Sequence, residues 1–236
     1  MSAVDIFGCT SCITRYRVRI QVTDKLVGGV PSSPSIIKGW LQSRMDIKDR
    51  ALQELVDATL QERFSDRQPT ADELADAVMQ VGDVNVNGFK RVPGTGELAY
   101  EGRCMKAALK EWANSAYPGA RWPSQKKVDA SFRKGLKSAL AERVFVEETL
   151  IGLGVSAPSA IEERIKHVST PQGPRSSITR VEVVDRPALE FTLQVRDDFL
   201  SPEEWGRIWE VGELIGIGAD RARSDGRFTL ELWERI

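Results

Sequence analysis

The stretch Leu214-Ile-Gly-Ile-Gly-Ala-Asp-Arg-Ala-Arg-Ser-Asp-Gly-Arg-Phe-Thr-Leu-Glu-Leu-Trp233 sets the reading of the whole chain. Its first residues end an amphipathic helix that begins at Ser201-Pro-Glu-Glu, where serine is the N-cap and proline fills the first turn. From Arg227 onward apolar and polar residues alternate, the period of a half-buried strand. A dinucleotide-binding glycine loop leaves a strand and opens a helix, so that phosphate meets the positive helix end. Here the helix comes first and the strand last, so Gly216-x-Gly218 is not that fingerprint. What stands at the joint is a glycine loop bearing Arg221, Arg223 and Arg227.

A chain of 236 residues can bury a substantial core, either as one large domain or as a smaller one carrying an insertion. Hydrophobic content of 41% and charged content of 28% are those of an ordinary globular protein. No apolar run approaches a bilayer span, and Met1-Ser-Ala-Val-Asp-Ile lacks the basic and apolar regions of a signal peptide. The expectation is a cytoplasmic protein with no membrane contact.

The net charge of -1 argues against a generic nucleic-acid binder, yet the average hides a partition. Residues 1–44 and 121–143 are predominantly basic, whereas 46–83 is strongly acidic. Such asymmetry permits a basic face for polyanions beside an acidic lobe. Three cysteines are too few for a disulfide scaffold. Cys9-Thr-Ser-Cys12 has metal-knuckle spacing, but only Cys104 and His167 remain to complete a site, and structural zinc wants four ligands. Neither a metal nor a cofactor is expected.

Thr14-Arg-Tyr-Arg-Val-Arg-Ile-Gln-Val-Thr23 carries the clearest strand signal. Tyr16, Val18, Ile20 and Val22 fall on one face; Arg15, Arg17, Arg19 and Gln21 fall on the other. Side-by-side arginines repel unless an anion or a carboxylate answers them, so this ladder is either a solvated outer face or a polyanion contact. The loop after it, with Gly28-Gly29, lets backbone approach a ligand closely. A short helix over 36–44 carries Lys38.

Helical spacing over 46–64, and a capping box at Thr70 and Glu73, make 46–83 an acidic helical insertion. Val92-Pro-Gly-Thr-Gly-Glu-Leu98 is similar to the middle of a phosphate-binding loop, but Glu97 stands where lysine is needed, so a nucleotidase is excluded. The next amphipathic helix, 101–116, puts Arg103, Lys106 and Lys110 on one face. A further helix over 129–143 repeats the arrangement with Arg133, Lys134 and Lys137. Residues 143–151 read as extended, and a short helix is expected before Gly173. Residues 177–184 and 189–196 then read as a hairpin turning at Asp185-Arg186-Pro187.

Strand (14–23), helical excursion, hairpin (177–197), helix (201–215) and strand (227–235) follow the order β-α-β-β-α-β of a ferredoxin-like unit. The expected class is therefore α+β, a ferredoxin-like, RRM-like core over 1–45 and 84–236 with the helical insertion at 46–83. With Gly216-x-Gly218-x-x-Arg221-x-Arg-Ser-x-Gly226-Arg-Phe at its last joint, the chain resembles the RAMP superfamily, the repeat-associated proteins of CRISPR effector complexes. Those proteins carry a glycine-rich loop between the last helix and last strand of such a unit. Leu26-Val-Gly-Gly and Tyr100-Glu-Gly-Arg-Cys-Met-Lys-Ala-Ala-Leu109 sit where they have related segments. Ser224-Asp225-Gly226 departs from the common second Gly-x-Gly.

The resemblance implies either a backbone nucleoprotein that lines up along RNA or an endoribonuclease that cuts repeat RNA without metal. Cleavage without metal needs groups that exchange protons near neutrality, and His167 is the sole histidine. Binding without chemistry is the leading expectation. The partners are single-stranded RNA (or DNA) and neighbouring copies or other effector subunits. Its phosphates would meet Arg15, Arg17, Arg19, Lys38, Arg103, Lys106, Lys110, Arg133, Lys134, Lys137, Arg221, Arg223 and Arg227, with backbone at Gly28, Gly29, Gly216 and Gly218. The alternative is a structural subunit of a phage or mobile element on the same fold, motivated by near-zero charge, the acidic lobe and six tryptophans.

Overall fold

The structure, a computed structural model, describes residues 12–31, 86–119, 121–128, 133–170 and 173–236. Lys38, Cys9 and the expected helices of 36–44 and 46–83 lie outside the described residues. The strands are β1 (Ile13–Val22), β2 (Lys25–Val27), β3 (Val30–Pro31), β4 (Val86–Gly88), β5 (Lys90–Arg91), β6 (Leu98–Glu101), β7 (Val144–Val146), β8 (Leu150–Gly152), β9 (Ala160–Thr170), β10 (Gly173–Asp185), β11 (Ala188–Arg196) and β12 (Phe228–Arg235). The described helices are α1 (Gly102–Ala116), α2 (Leu136–Arg143) and α3 (Pro202–Ile215). The class is α+β. Among the described residues no helix is long and apolar enough to cross a membrane.

The chain divides into two compact units, one of residues 1–29, 89–161 and 182–236, the other of 30–88 and 162–181. In the first, β1 is the centre of a four-stranded antiparallel sheet ordered β12-β1-β11-β7. The alternation of β1 decides its faces: Val18, Ile20 and Val22 are fully buried, while Arg15, Arg17 and Arg19 are exposed. Phe191, Leu193 and Val195 of β11 and Phe228 of β12 join them on the inner face. Met105, Leu109 and Trp112 of α1, Leu136 and Leu140 of α2, and Trp205, Ile208 and Trp209 of α3 pack onto that face. Each such buried side chain contributes ~1.5–3 kcal/mol. Helices thus cover one side of the sheet, and the other carries the arginines.

Helix α3 starts as its sequence requires. Ser201 Oγ accepts the Glu204 N–H, and the Glu204 carboxylate accepts the Ser201 N–H at 2.8 Å. The other Glu204 oxygen accepts the Ser124 N–H at 2.8 Å, so the same buried carboxylate also anchors the segment after α1. Gly212 lets α3 lie against the Trp112 indole, since a methyl group there would fall 2.7 Å from the ring.

Three sequence readings are corrected. Strand β10 pairs with β2, β4 and β9, whereas β11 pairs with β1 and β7, so 177–184 and 189–196 are not a hairpin. At the corner Arg186 adopts φ 43° and its N–H donates to Asp24 O, and Pro187 has no N–H to give a ladder. The short helix expected before Gly173 is strand β9. Ile161 and Ile165, four residues apart, share a face on a strand as readily as on a helix, and both are exposed. Finally, α2 begins only at Leu136, leaving Arg133 and Lys134 in the loop before it. Gly135 is extended there (ψ 160°), with the Gly119 carbonyl 2.7 Å from where a Cβ would stand. Val92–Leu98 is the turn between β5 and β6, and Glu97 serves it by accepting the Gly154 N–H at 2.7 Å.

In the second unit, β3 pairs antiparallel with β4, and β4 runs parallel to Arg180–Val181 of β10. Strand β9 pairs with β10, and Glu163 on β9 meets Arg180 at 3.0 Å. His167 falls on β9; its side chain lies outside the described residues.

Candidate nucleic-acid interface

The arginine ladder stands on the open face of the four-stranded sheet, and carboxylates from the neighbouring strands answer it. Arg15 makes a bidentate pair with Glu147, just past β7, at 2.6–3.1 Å. Arg17 lies between Glu190 of β11 (3.9 Å) and Glu234 of β12 (3.7 Å). The β1–β12 register shifts at Arg19 and Ile20, and Glu231, the extra residue, reaches Arg19 at 3.1 Å. These side chains are about half exposed, so each pair contributes ~0–1 kcal/mol.

The glycine loop is built for packing. Gly216, Gly218 and Gly226 have φ of 81°, 82° and 73°. A Cβ on Gly216 would stand 2.7 Å from Gly226 O, one on Gly218 2.9 Å from Val27 O, and one on Gly226 would overlap Ile217 O. Several of the loop's amides donate inside the protein. Gly216 N–H donates to Gly212 O, Ile217 to Gly226 O, Ala219 to Val27 O and Gly226 to Lys25 O, at 2.8–3.1 Å. Gly218 N–H donates to the Tyr100 hydroxyl at 3.3 Å. Burial, the largest effect on that phenol, pushes its pKa up to about 12.

The expectation that these amides hold phosphate is therefore corrected. Gly216 and Gly218 shape the loop. The structure also seats the Leu26-Val-Gly-Gly segment against the loop, with Gly28 N–H donating to Glu182 O and the Ala219 methyl 3.5 Å from where a Cβ on Gly29 would stand. Two glycine segments far apart in sequence thus form one packed joint.

Arg221 leaves this joint in a short 3-10 turn and donates to Glu111 of α1 at 2.7 Å. Glu111, Leu214, Ile215, Ala219 and Arg221 line an open groove of about 590 Å³. Arg223 and Arg227 are exposed beside it. The groove joins Arg221 to α1, which also carries the predicted basic face.

At the other end of α1 a second hollow, of about 300 Å³, gathers the remaining pieces. Glu101, Arg103 and Lys106 form one wall; Phe145, Glu147 and Glu148 form the other. Arg103 donates to Glu101 at 2.9–3.1 Å, and Glu148 accepts the Thr192 N–H with both oxygens, at 2.8 and 2.9 Å. Lys106 Nζ lies 4.0 Å from the centre of the Phe145 ring. Burial, and then the charge of Lys110, hold the Lys106 pKa below the ordinary lysine value. Arg15 reaches the rim through Glu147. The hollow therefore unites Arg15 of the ladder with Arg103 and Lys106 of the helix.

Lys134 and Lys137 do not join this hollow's lining; Lys134 pairs with Glu142 at 2.9 Å, and Lys137 and Arg133 are exposed. Phe145 was missed in the sequence. Val144-Phe-Val reads as a short apolar strand, and nothing local marks its middle residue as the exposed one.

No family model matches the sequence, and no curated protein matches it. Among solved structures, a chain in the cryo-EM structure of the type III-B Cmr-beta complex bound to cognate target RNA is similar, with a TM-score of 0.47 and 11% identity. The likeness covers 95% of this chain and 61% of that one, so the chain spans about three fifths of the neighbour's length.

Proposed function

We propose that the chain is a RAMP-type subunit that holds single-stranded RNA by its phosphates within a multi-subunit assembly, without cutting it. The observation that carries the reading is the path through the four-stranded sheet. In sequence it runs β1, α1, β7, β11, α3, β12, and in space the strands lie β12-β1-β11-β7, with the glycine loop at the joint between α3 and β12. We read this as the order of a ferredoxin-like unit whose second strand is Val144–Val146, with β2–β6, α2 and β8–β10 outside the path. The resemblance places a glycine loop at that same joint.

Support for RNA as the ligand comes from chemistry around α1. Arg103 and Lys106 at one end and Arg221 at the other flank two hollows, and Arg15, Arg17 and Arg19 continue the cations across the open sheet. Contacts of this kind grip phosphate with little base preference. The assembly reading loses one of its motives: Trp112, Trp122, Trp205 and Trp209 are buried in the core, and Trp233 stacks on Tyr16 at 4.5 Å.

Purifying the protein from its host without nuclease tests the proposal. Co-purifying RNA, seen in the ultraviolet absorbance ratio and sequenced, is the expected result. A protein that leaves the column free of nucleic acid, and that binds neither RNA nor DNA afterwards, contradicts it. The ribonuclease version rests on His167 alone and fails if His167→Ala leaves a measured cleavage unchanged.

A further inference from the structure

The hollow between α1 and β7 has a charge pattern that does not suit a phosphate. Its walls carry Arg103 and Lys106 against Glu101, Glu147 and Glu148, a balance of two cations to three carboxylates. Both arginines at the site, Arg103 and Arg15, already hold a carboxylate. A phosphate entering here would meet like charge. What the walls offer is an aromatic face and carboxylate oxygens with lone pairs to spare.

Phe145 supplies the face. Its ring is 43% exposed, and it stands in the row Arg15, Gln194, Phe145 across the sheet. A single exposed phenylalanine is common on protein surfaces and needs no explanation alone. This one lies in a concavity of about 300 Å³, at the small end of ligand-site volumes, with its face already occupied by a cation. The occupant, Lys106, carries a lowered pKa from burial and from Lys110, so moving its ammonium to a phosphate on the rim relieves both effects.

We infer that Phe145 is a stacking platform for one unpaired base of bound RNA, with Lys106 displaced from the ring toward the adjoining phosphate. The inference rests on the RNA-binding reading and sharpens it. A flat, uncharged base with N–H donors fits an aromatic floor and carboxylate walls, whereas the adjoining phosphate is met at the rim by the displaced Lys106. Bases carrying an exocyclic amine suit carboxylate acceptors best, and purines stack more strongly than uracil, so a purine is preferred and oligoadenylate is a suitable probe. A base held in a duplex cannot reach the ring, which makes the site selective for single strands.

The test compares oligoadenylate with an abasic ribose-phosphate strand of equal length, using the unaltered full-length protein, Phe145→Ala and Phe145→Tyr. Phe145→Ala is expected to lose about tenfold in affinity for oligoadenylate, and nothing for the abasic strand. Its dependence on salt stays unchanged, because no phosphate contact is removed, and Phe145→Tyr keeps the full affinity. Equal losses on both strands, or no loss on oligoadenylate, overturn the platform while leaving RNA binding intact. If the unaltered protein binds neither strand, the RNA-binding reading itself falls. A change in the oligomeric state of the RNA-free protein on Phe145→Ala assigns the hollow to a protein neighbour and also overturns the inference.

Discussion

A methyl group on Gly226 has no room, because the Ile217 carbonyl already occupies its place and the backbone is left-handed there. Gly226→Ala should therefore cost at least ~2 kcal/mol, the left-handed penalty plus the displaced carbonyl, read as a shift of the urea midpoint. Arg221→Ala is the contrasting change. It removes one exposed pair with Glu111, so stability should fall by no more than ~1 kcal/mol, while RNA affinity drops and the salt dependence flattens. The tyrosines provide an independent check of the packing. Burial, and then Asp198, push the Tyr16 phenol up to about 12, and Tyr100 rises to about 12 as well. Folded pKa values above the unfolded value of ~10 mean that this contribution is intact below pH ~10 and is lost as pH rises through ~12. An ultraviolet titration should show tyrosinate appearing late in the folded protein and near pH ~10 in urea; normal titration in both would contradict the packing.

At the level of elements, α3 shows how far local signals reach. Ser201-Pro-Glu-Glu announces a capped helix, and the capping box is present. The second duty of Glu204, accepting the Ser124 N–H, joins residues 80 apart and leaves no local mark in the sequence. Glu204→Ala strands two N–H groups and should destabilise by ~2–4 kcal/mol, against ~1 kcal/mol for Ser201→Ala, both by chemical denaturation. The same distinction explains the strand errors. Alternation in 189–196 assigns a buried face to β11 but cannot choose its neighbours, so the hairpin with β10 was misread. The i, i+4 isoleucines of β9 satisfy strand and helix alike. The arginine ladder was legible as an exposed face, and its answering carboxylates were not, since Glu190, Glu231 and Glu234 come from two other strands. If the ladder binds phosphate, Glu190→Gln with Glu234→Gln should raise RNA affinity about fivefold by freeing Arg17, the scale of one exposed ion pair. An unchanged affinity would make the ladder a solvated face.

For the whole molecule, the net charge of -1 conceals a partition of charge along the sequence. The acidic stretch of 46–83 is expected as a lobe and lies outside the described residues, whereas the cations of α1 and β1 both belong to the first unit, on the two sides of its sheet. Of the tryptophans that motivate a protein interface, Trp112, Trp122, Trp205 and Trp209 are core and Trp233 is partly buried against it. Trp112, Trp209 and Phe228 pack at ring distances of 5.3–6.2 Å, beneath a sheet whose other face stays open. Sequence order revealed the glycine joint but not its partners, because Lys25, Val27 and Tyr100 reach it only through the fold. The central claim is that the cations of the first unit bind single-stranded RNA through its phosphates. Affinity for a short single-stranded RNA, measured by fluorescence anisotropy between about 50 and 200 mM salt, tests it most directly. The prediction is a steep linear fall of log affinity with log salt, by ~0.7 for each phosphate neutralised. Binding that ignores salt, or no binding at the lowest salt, would contradict it.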